Sequence, residues 1–219
     1  MISKNTFKFL SDLEKNNNKP WFDAHRPAYE AAKADVLEFC AALIKEMGKR
    51  DAGIAMLEPK QCVFRINRDV RFSKNKAPYK NNMGIYLNAQ GKKTDTAGYY
   101  IHLQPGACFI AAGMWQPPAP VLAKVRQEID YNFAEWKKIV NAAAFKKNID
   151  GLRNEDKLVR PPKGYDEENP AIEFLKHKSF VASVALSEAK FTGKDAVKNV
   201  MDFCKAAEPL VLFLNRGLD

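Results

Sequence analysis

The spacing of apolar residues changes twice along this chain, and these changes constrain its fold more than any other feature. Up to about residue 50, apolar residues recur every three or four positions, which is typical of amphipathic helices. The clearest stripe comprises Tyr29, Ala32, Val36, Phe39, Leu43 and Met47. The period becomes two near Cys62 and returns to that of a helix after Pro117. A β region between two helical regions is therefore predicted.

The region of period two contains several strand candidates joined by short connections. After a first strand from Cys62, further strands are predicted around residues 84–88, 98–104 and 108–114, and Phe180 to Val184 form a later one. Short connections rich in turn residues, such as Pro105-Gly106, favour antiparallel neighbours. We therefore predict an α+β fold in which an antiparallel sheet packs with amphipathic helices. The sheet comprises roughly residues 61–115 and a strand near 178–185.

Length and composition predict a single globular domain spanning residues 1–219. A chain of this length can fold around one hydrophobic core, and 46% apolar residues are typical of a packed protein. A helix is predicted after Pro120 with a break near residues 130–132. The sequence contains no membrane-spanning apolar run and no signal-peptide core at its start, so a cytoplasmic location is expected. The four cysteines are predicted to be reduced and mostly buried, because they are scattered singly among apolar residues.

Positive charge is concentrated in one short segment. The chain has 35 Lys and Arg against 26 Asp and Glu, a formal net charge of +9. Between Arg65 and Lys80, six Lys and Arg stand against Asp69 alone, so this segment carries +5. Such an excess favours acidic partners.

The residue types of this segment suit the binding of a phosphate or carboxylate group. Arginine binds such groups through two parallel hydrogen bonds, and lysine adds mobile positive charge. If the first strand continues to Ser73, alternation places one set of side chains on a common face. That set comprises Arg65, Asn67, Asp69, Arg71 and Ser73. The alternative is a set of solvated charges on a sheet face and a lysine-rich loop.

We therefore predict a small anionic ligand bound by a basic pocket. Its candidate ligand-binding residues are Arg65, Asn67, Arg68, Arg71, Ser73, Lys76, Lys80 and Tyr100. Arg65, Arg71 and Lys80 are expected to line one concave site beside Tyr100 or His102. If the protein is an enzyme, the candidate proton carriers are His102, Tyr79 and Asp69. No reaction type follows from these residues, and no metal or cofactor is expected, because no histidine has metal-ligand spacing.

Two other functions remain open at this point. In a nucleic-acid-binding module, the same basic residues would follow a backbone while Phe72, Tyr79 or Tyr86 stacked on bases. In a structural or protein-interaction domain, the basic face would meet an acidic partner. Nucleic acid ranks below a small ligand, because the basic excess is confined to one segment. The sequence predicts no membrane partner and leaves the oligomeric state open.

Several motifs in a fixed order resemble a known family. They are Asn16-Asn-Asn-Lys-Pro-Trp-Phe, Phe64-Arg-Ile-Asn-Arg-Asp-Val-Arg-Phe-Ser, Lys76-Ala-Pro-Tyr-Lys, Gly98-Tyr-Tyr-Ile-His and Arg160-Pro-Pro-Lys-Gly-Tyr. Together they resemble the family called domain of unknown function 2461 over nearly the whole chain. The resemblance implies one domain with the segment from Arg65 to Lys80 as its signature, and it supplies no reaction.

Overall fold

Side-chain caps set the starts of the first two helices in this computed structural model, which describes residues 1–92 and 94–218. Helix α1 (Lys4–Lys15) begins after Ser3, whose hydroxyl accepts a hydrogen bond from the Asn5 amide at 3.2 Å. Helix α2 (Lys19–Ala24) is capped by Asn18, which accepts from the Trp21 amide at 3.0 Å. A side-chain oxygen at this position satisfies a backbone N–H that has no partner within the helix.

Helix α3 (Arg26–Met47) carries the stripe that the sequence predicts. Ala32, Val36, Phe39, Leu43 and Met47 are all buried. Two short helices follow, α4 (Ala52–Ala55) and α5 (Pro59–Cys62). Cys62 therefore ends a helix, and the strand predicted to start there is absent. The chain instead makes two isolated antiparallel bridges, Val63 with Ile85 and Asn67 with Tyr79.

The sheet has four antiparallel strands in sequence order. They are β1 (Met83–Leu87), β2 (Gly98–Leu103), β3 (Phe109–Met114) and β4 (Phe180–Ala185). Gly106 turns the chain between β2 and β3 with φ of +72°, a conformation that glycine adopts without steric cost. The α+β prediction is confirmed, and four of its five predicted strand segments are present.

Helices fill the connection between β3 and β4 and the C-terminal part of the chain. They are α6 (Ala119–Tyr131), α7 (Phe133–Asn141), α8 (Ala143–Asn148), α9 (Ile172–Leu175), α10 (Ala189–Thr192) and α11 (Ala196–Arg216). Asn132 separates α6 from α7, so the predicted break is confirmed. No helix in the described part of the chain has the length and apolar character needed to cross a membrane.

The chain divides into two compact units, each assembled from three segments. Unit 1 comprises Met1–Lys92, Tyr100–Ile110 and Ala185–Met201, and unit 2 comprises Lys93–Tyr99, Ala111–Val184 and Asp202–Asp219. In unit 1, the buried residues Leu10 and Leu13 of α1 belong to a core that also contains the α3 stripe. In unit 2, the fully buried Trp136 packs against Phe174, Phe180 and Phe213.

Candidate functional site

The basic segment from Arg65 to Lys80 folds into a closed loop. Arg68 donates its amide to the Pro78 carbonyl at 2.9 Å, and Lys80 donates to the Ile66 carbonyl at 2.8 Å. The predicted continuation of a strand to Ser73 is therefore wrong, because the chain turns back on itself beyond the bridge between Asn67 and Tyr79. Strand alternation thus does not align the side chains from Arg65 to Ser73.

The Arg68 side chain holds this loop closed. Its guanidinium donates to the Ala77 carbonyl at 2.9 Å and to the Ser73 hydroxyl at 3.3 Å. Lys76 makes a second link, donating from Nζ to the Val70 carbonyl at 3.0 Å. Both cations thus have structural partners inside the loop, which fixes their positions.

The far end of the loop is anchored by Tyr79. Asn17 donates its amide N–H to the Tyr79 carbonyl at 2.9 Å and accepts from the Tyr79 amide at 3.0 Å. The Tyr79 ring is buried and stacks on Phe22, with ring centroids 4.0 Å apart. The Asn16-Asn-Asn and Lys76-Ala-Pro-Tyr motifs therefore meet in space, and the candidate proton carrier Tyr79 lies in the packed interior.

An open pocket of about 470 Å³ lies next to the base of this loop, within unit 1. It is lined by Phe64, Arg68, Asp69, Lys80, Asn82, Gly84, Tyr100 and His102. The structure thus brings together five residues from the sequence prediction. These are Arg68, Asp69, Lys80, Tyr100 and His102.

The other predicted residues lie outside this lining. They are Arg65, Asn67, Arg71, Ser73, Lys76 and Tyr79. Arg71 is turned to Asp69, donating from Nε at 3.0 Å and from Nη2 at 2.7 Å, and 76% of its side chain is exposed. The predicted grouping of Arg65, Arg71 and Lys80 is therefore not formed. The grouping fails because Arg71 makes a bidentate ion pair with Asp69, two residues before it, and this pair holds its side chain away from the pocket lining.

Two ammonium groups lie over one half-exposed ring beside the pocket. Lys80 Nζ is 5.5 Å and Lys92 Nζ is 5.2 Å from the centroid of Phe64. Backbone carbonyls hold both, since Lys80 donates to Arg65 at 3.0 Å and Lys92 to Val63 at 2.7 Å. Burial and the neighbouring charges of Arg65 and Lys92 lower the pKa of Lys80. Burial is the largest of these causes, and the smaller effects of Arg65 and Lys92 show that other cations lie near Lys80.

A hydrogen-bonded row of three side chains forms another part of the pocket. Tyr100 and His102 alternate on β2, and Gln104 follows the strand. The Tyr100 hydroxyl is 2.8 Å from His102 Nδ1, and His102 Nε2 is 2.8 Å from Gln104 Oε1. Phe109 stacks on the imidazole with centroids 4.6 Å apart. Burial raises the pKa of Tyr100 to about 12, so this hydroxyl keeps its proton at neutral pH.

Gly84 of β1 leaves the space that Tyr100 occupies. A Cβ atom at position 84 would lie 2.8 Å from the Tyr100 hydroxyl oxygen and 3.2 Å from Cδ2 of Phe64. Sequence reasoning did not assign Phe64, Asn82, Gly84 or Lys92 to the site. The glycine in a predicted strand was the available signal, since such a glycine often marks close approach of another group.

Among the described residues, the cysteines form no disulfide and the acidic residues form no metal cluster. All four cysteines are buried free thiols, as predicted. The hydrogen bond with Cys62, together with burial, raises the pKa of Cys40. Across residues 1–92 and 94–218, no group of three or more His, Cys, Asp and Glu side chains is arranged to hold a metal ion.

The chain is an α+β protein, and one pocket in unit 1 is lined by cationic, acidic and aromatic side chains. The family model described as "Conserved hypothetical protein (DUF2461)" matches residues 5–213, so the chain belongs to this family. The resemblance seen in the sequence motifs is thereby confirmed. Comparisons with curated proteins and with solved structures gave no match. The family description names no activity, and function has to be argued from the pocket.

Proposed function

We propose that the pocket beside Lys80 binds a small ligand bearing a phosphate or carboxylate group. The observation that carries this proposal is the environment of Lys80, whose pKa is lowered by burial and by Arg65 and Lys92. Among the described residues, no carboxylate pairs with Lys80, and the carboxylate in the lining, Asp69, is engaged by Arg71. An anion in the pocket would offset the repulsion among these cations.

The donors available to such a ligand are held in place before it arrives. Lys80 uses one of its three ammonium hydrogens on the Arg65 carbonyl, which leaves two. Arg68 has five N–H donors and uses its side chain to bind Ala77 and Ser73. Fixed donors lose little conformational freedom on binding, which favours affinity.

A nucleic-acid-binding function is the second candidate, and one observation favours it. Phe72, within the basic loop, is 96% exposed, and the Arg71 guanidinium lies 5.8 Å from its ring centroid. An exposed aromatic ring beside cations suits base stacking. Against it, Tyr79 is buried and Tyr86 is half-buried, so these three rings do not offer a row of stacking surfaces. This candidate therefore stays second.

The test compares sulfate and phosphate with chloride at equal ionic strength in thermal unfolding of the full chain. An anion at about ten times its Kd should stabilise the native state by about 1.4 kcal/mol. Lys80→Gln should lose most of this difference. Lys74→Gln is the matched control, because Lys74 is an exposed cation of the same loop outside the pocket lining and should keep it.

Two results would count against the proposal. Equal unfolding temperatures in sulfate and chloride would leave the pocket without an anion. If Lys80→Gln and Lys74→Gln lost the same share of the stabilisation by sulfate, the stabilisation would depend on net charge and not on the pocket. Submicromolar binding of a single-stranded oligonucleotide at physiological salt, lost in Phe72→Ala and kept in Lys80→Gln, would move the nucleic-acid candidate to first place.

A further inference from the structure

The row from Gln104 to Tyr100 fixes where its hydrogens lie. The Gln104 Oε1 atom is an acceptor, so His102 Nε2 carries a hydrogen and donates it. A neutral imidazole has one N–H, which makes Nδ1 an acceptor. The Tyr100 hydroxyl, 2.8 Å away, must then donate its single hydrogen to Nδ1. In this state the Tyr100 oxygen has only lone pairs left for the pocket, and lone pairs repel an anion.

Protonation of His102 reverses the direction of the hydrogen bond between Tyr100 and His102 Nδ1. Imidazolium carries hydrogens on both nitrogens, so Nδ1 now donates to the Tyr100 oxygen. The Tyr100 hydrogen is released from the imidazole and can rotate towards the pocket. One proton from solvent, added at Nδ1, thus converts a wall that accepts hydrogen bonds into one that donates them. No covalent bond to the ligand forms or breaks.

We propose that the pocket takes up one proton at His102 together with a fully ionised oxyanion, which then accepts a hydrogen bond from Tyr100. This inference rests on the proposed function, since it concerns the same pocket, and it names the class of ligand and the linkage. An oxyanion that carries its own hydrogen can instead donate to the Tyr100 oxygen and needs no added proton. A fully ionised anion lacks that option.

The charges around His102 support this linkage. The ionisable side chains that line the pocket with it are Arg68, Asp69, Lys80 and Tyr100. On the β3 side the imidazole is covered by Phe109, which is uncharged. Asp69 is bound to Arg71, so its carboxylate is already paired. A bound anion favours the charged form of a neighbouring imidazole, and by reciprocity the proton then strengthens anion binding.

The experiment follows sulfate binding by nuclear magnetic resonance of the full chain with ¹⁵N-labelled histidine. Sulfate is the probe, because it is fully ionised at neutral pH. Without sulfate, His102 should show the Nε2–H form. Sulfate at constant pH should move its nitrogens towards the imidazolium signature and leave exposed His25 unchanged. Sulfate affinity should rise as pH falls, approaching tenfold per pH unit, through the range in which histidine changes charge.

Variants separate this inference from the proposed function. His102→Gln should bind sulfate with no pH dependence between about pH 6 and 8. Tyr100→Phe should bind it about tenfold more weakly, the loss expected for a hydrogen bond to a charged group. Binding by the unmodified protein without protonation of His102, or an Nδ1–H form without sulfate, would overturn the inference and leave the anion pocket intact. Absence of sulfate binding at any pH would overturn both.

Discussion

Two histidines show how differently the two units use the same side chain. His102 of unit 1 is half-buried, lines an open pocket, and is hydrogen-bonded to the side chains of Tyr100 and Gln104. His177 of unit 2 is 2% exposed, stacks between Phe174 and Phe180, and hydrogen-bonds to the backbone near the start of β4. Burial, with a smaller effect of Lys157, lowers the pKa of His177 to about 4.

The contrast lies in what the partners can do when a proton arrives. A tyrosine hydroxyl rotates, so the row at His102 can exchange donor and acceptor without moving the backbone. Backbone groups are fixed, and burial disfavours the charged form of His177 more than its backbone hydrogen bonds favour it, so that imidazole stays neutral down to about pH 4. The proposed coupling between a proton and a ligand therefore applies to His102, whereas His177, which also borders a pocket of about 360 Å³, keeps its neutral form.

Two glycines make the same distinction. A Cβ at Gly84 of unit 1 would meet side-chain atoms of Tyr100 and Phe64, which can shift. A Cβ at Gly113 of unit 2 would lie 2.0 Å from the Phe180 carbonyl oxygen, a backbone atom, and φ at Gly113 is +124°. Position 113 therefore has no room for a side chain, whereas position 84 should accept one after a shift of Tyr100 and Phe64.

Gly113→Ala should give the largest effect, a loss of roughly 4 kcal/mol or more in the free energy of unfolding, because overpacking and a disfavoured φ act together. Urea unfolding measures it. Gly151→Ala is the matched control in the same unit, with φ of +118° and no atom within 4 Å of the added Cβ. It should cost only about 1 to 2 kcal/mol. Equal losses in the two variants would mean that β3 and β4 are not so closely packed.

The next effect is the acid sensitivity that His177 confers. The unfolded chain takes up a proton near pH 6.5, whereas folded His177 stays neutral down to about pH 4. The neutral His177 side chain therefore contributes its whole stabilisation to the free energy of unfolding above about pH 6.5, and this stabilisation is lost as the pH falls towards 4. The loss should be on the order of 2 to 3 kcal/mol.

A His177→Gln variant isolates this contribution from that of the carboxylates. Its free energy of unfolding should be lower at neutral pH but should fall less steeply between pH 6.5 and 4 than that of the unmodified protein. Parallel curves would show that folding does not lower the pKa of His177, and the contrast with His102 would fail.

The sequence predicted the fold well because its main elements are specified locally. Apolar stripes identify α1 and α3, and period two identifies β2 and its neighbours, independently of the rest of the chain. The loop after Asn67 could not be predicted, because it depends on bonds between distant groups. Asn17 reaches Tyr79 across 62 residues, and Arg68 reaches Ala77 through its side chain. Strand alternation was therefore extended too far.

The site was predicted in part for the same reason. Composition identified Arg68, Asp69 and Lys80, and alternation on β2 identified Tyr100 and His102. Lys92 lies 12 residues beyond Lys80, after β1, and only the folded chain shows that both ammonium groups share the Phe64 ring. Arg71 was grouped with Arg65 by strand alternation, which does not show that the nearby Asp69 binds Arg71.

Gly84→Ala should give the smallest loss of stability and still disable the pocket. The strand conformation accepts alanine, so the cost comes from displacing the Tyr100 hydroxyl and the Phe64 ring, and about 1 kcal/mol is expected. The displacement moves Tyr100 from its 2.8 Å contact with His102, so stabilisation by sulfate and its dependence on pH should both decrease. Thermal unfolding in sulfate and in chloride at two pH values measures the loss of stability, the stabilisation by sulfate and its dependence on pH. A loss as large as that of Gly113→Ala would show that unit 1 is as rigid as unit 2. An unchanged response to sulfate would separate the Tyr100 hydroxyl from anion binding.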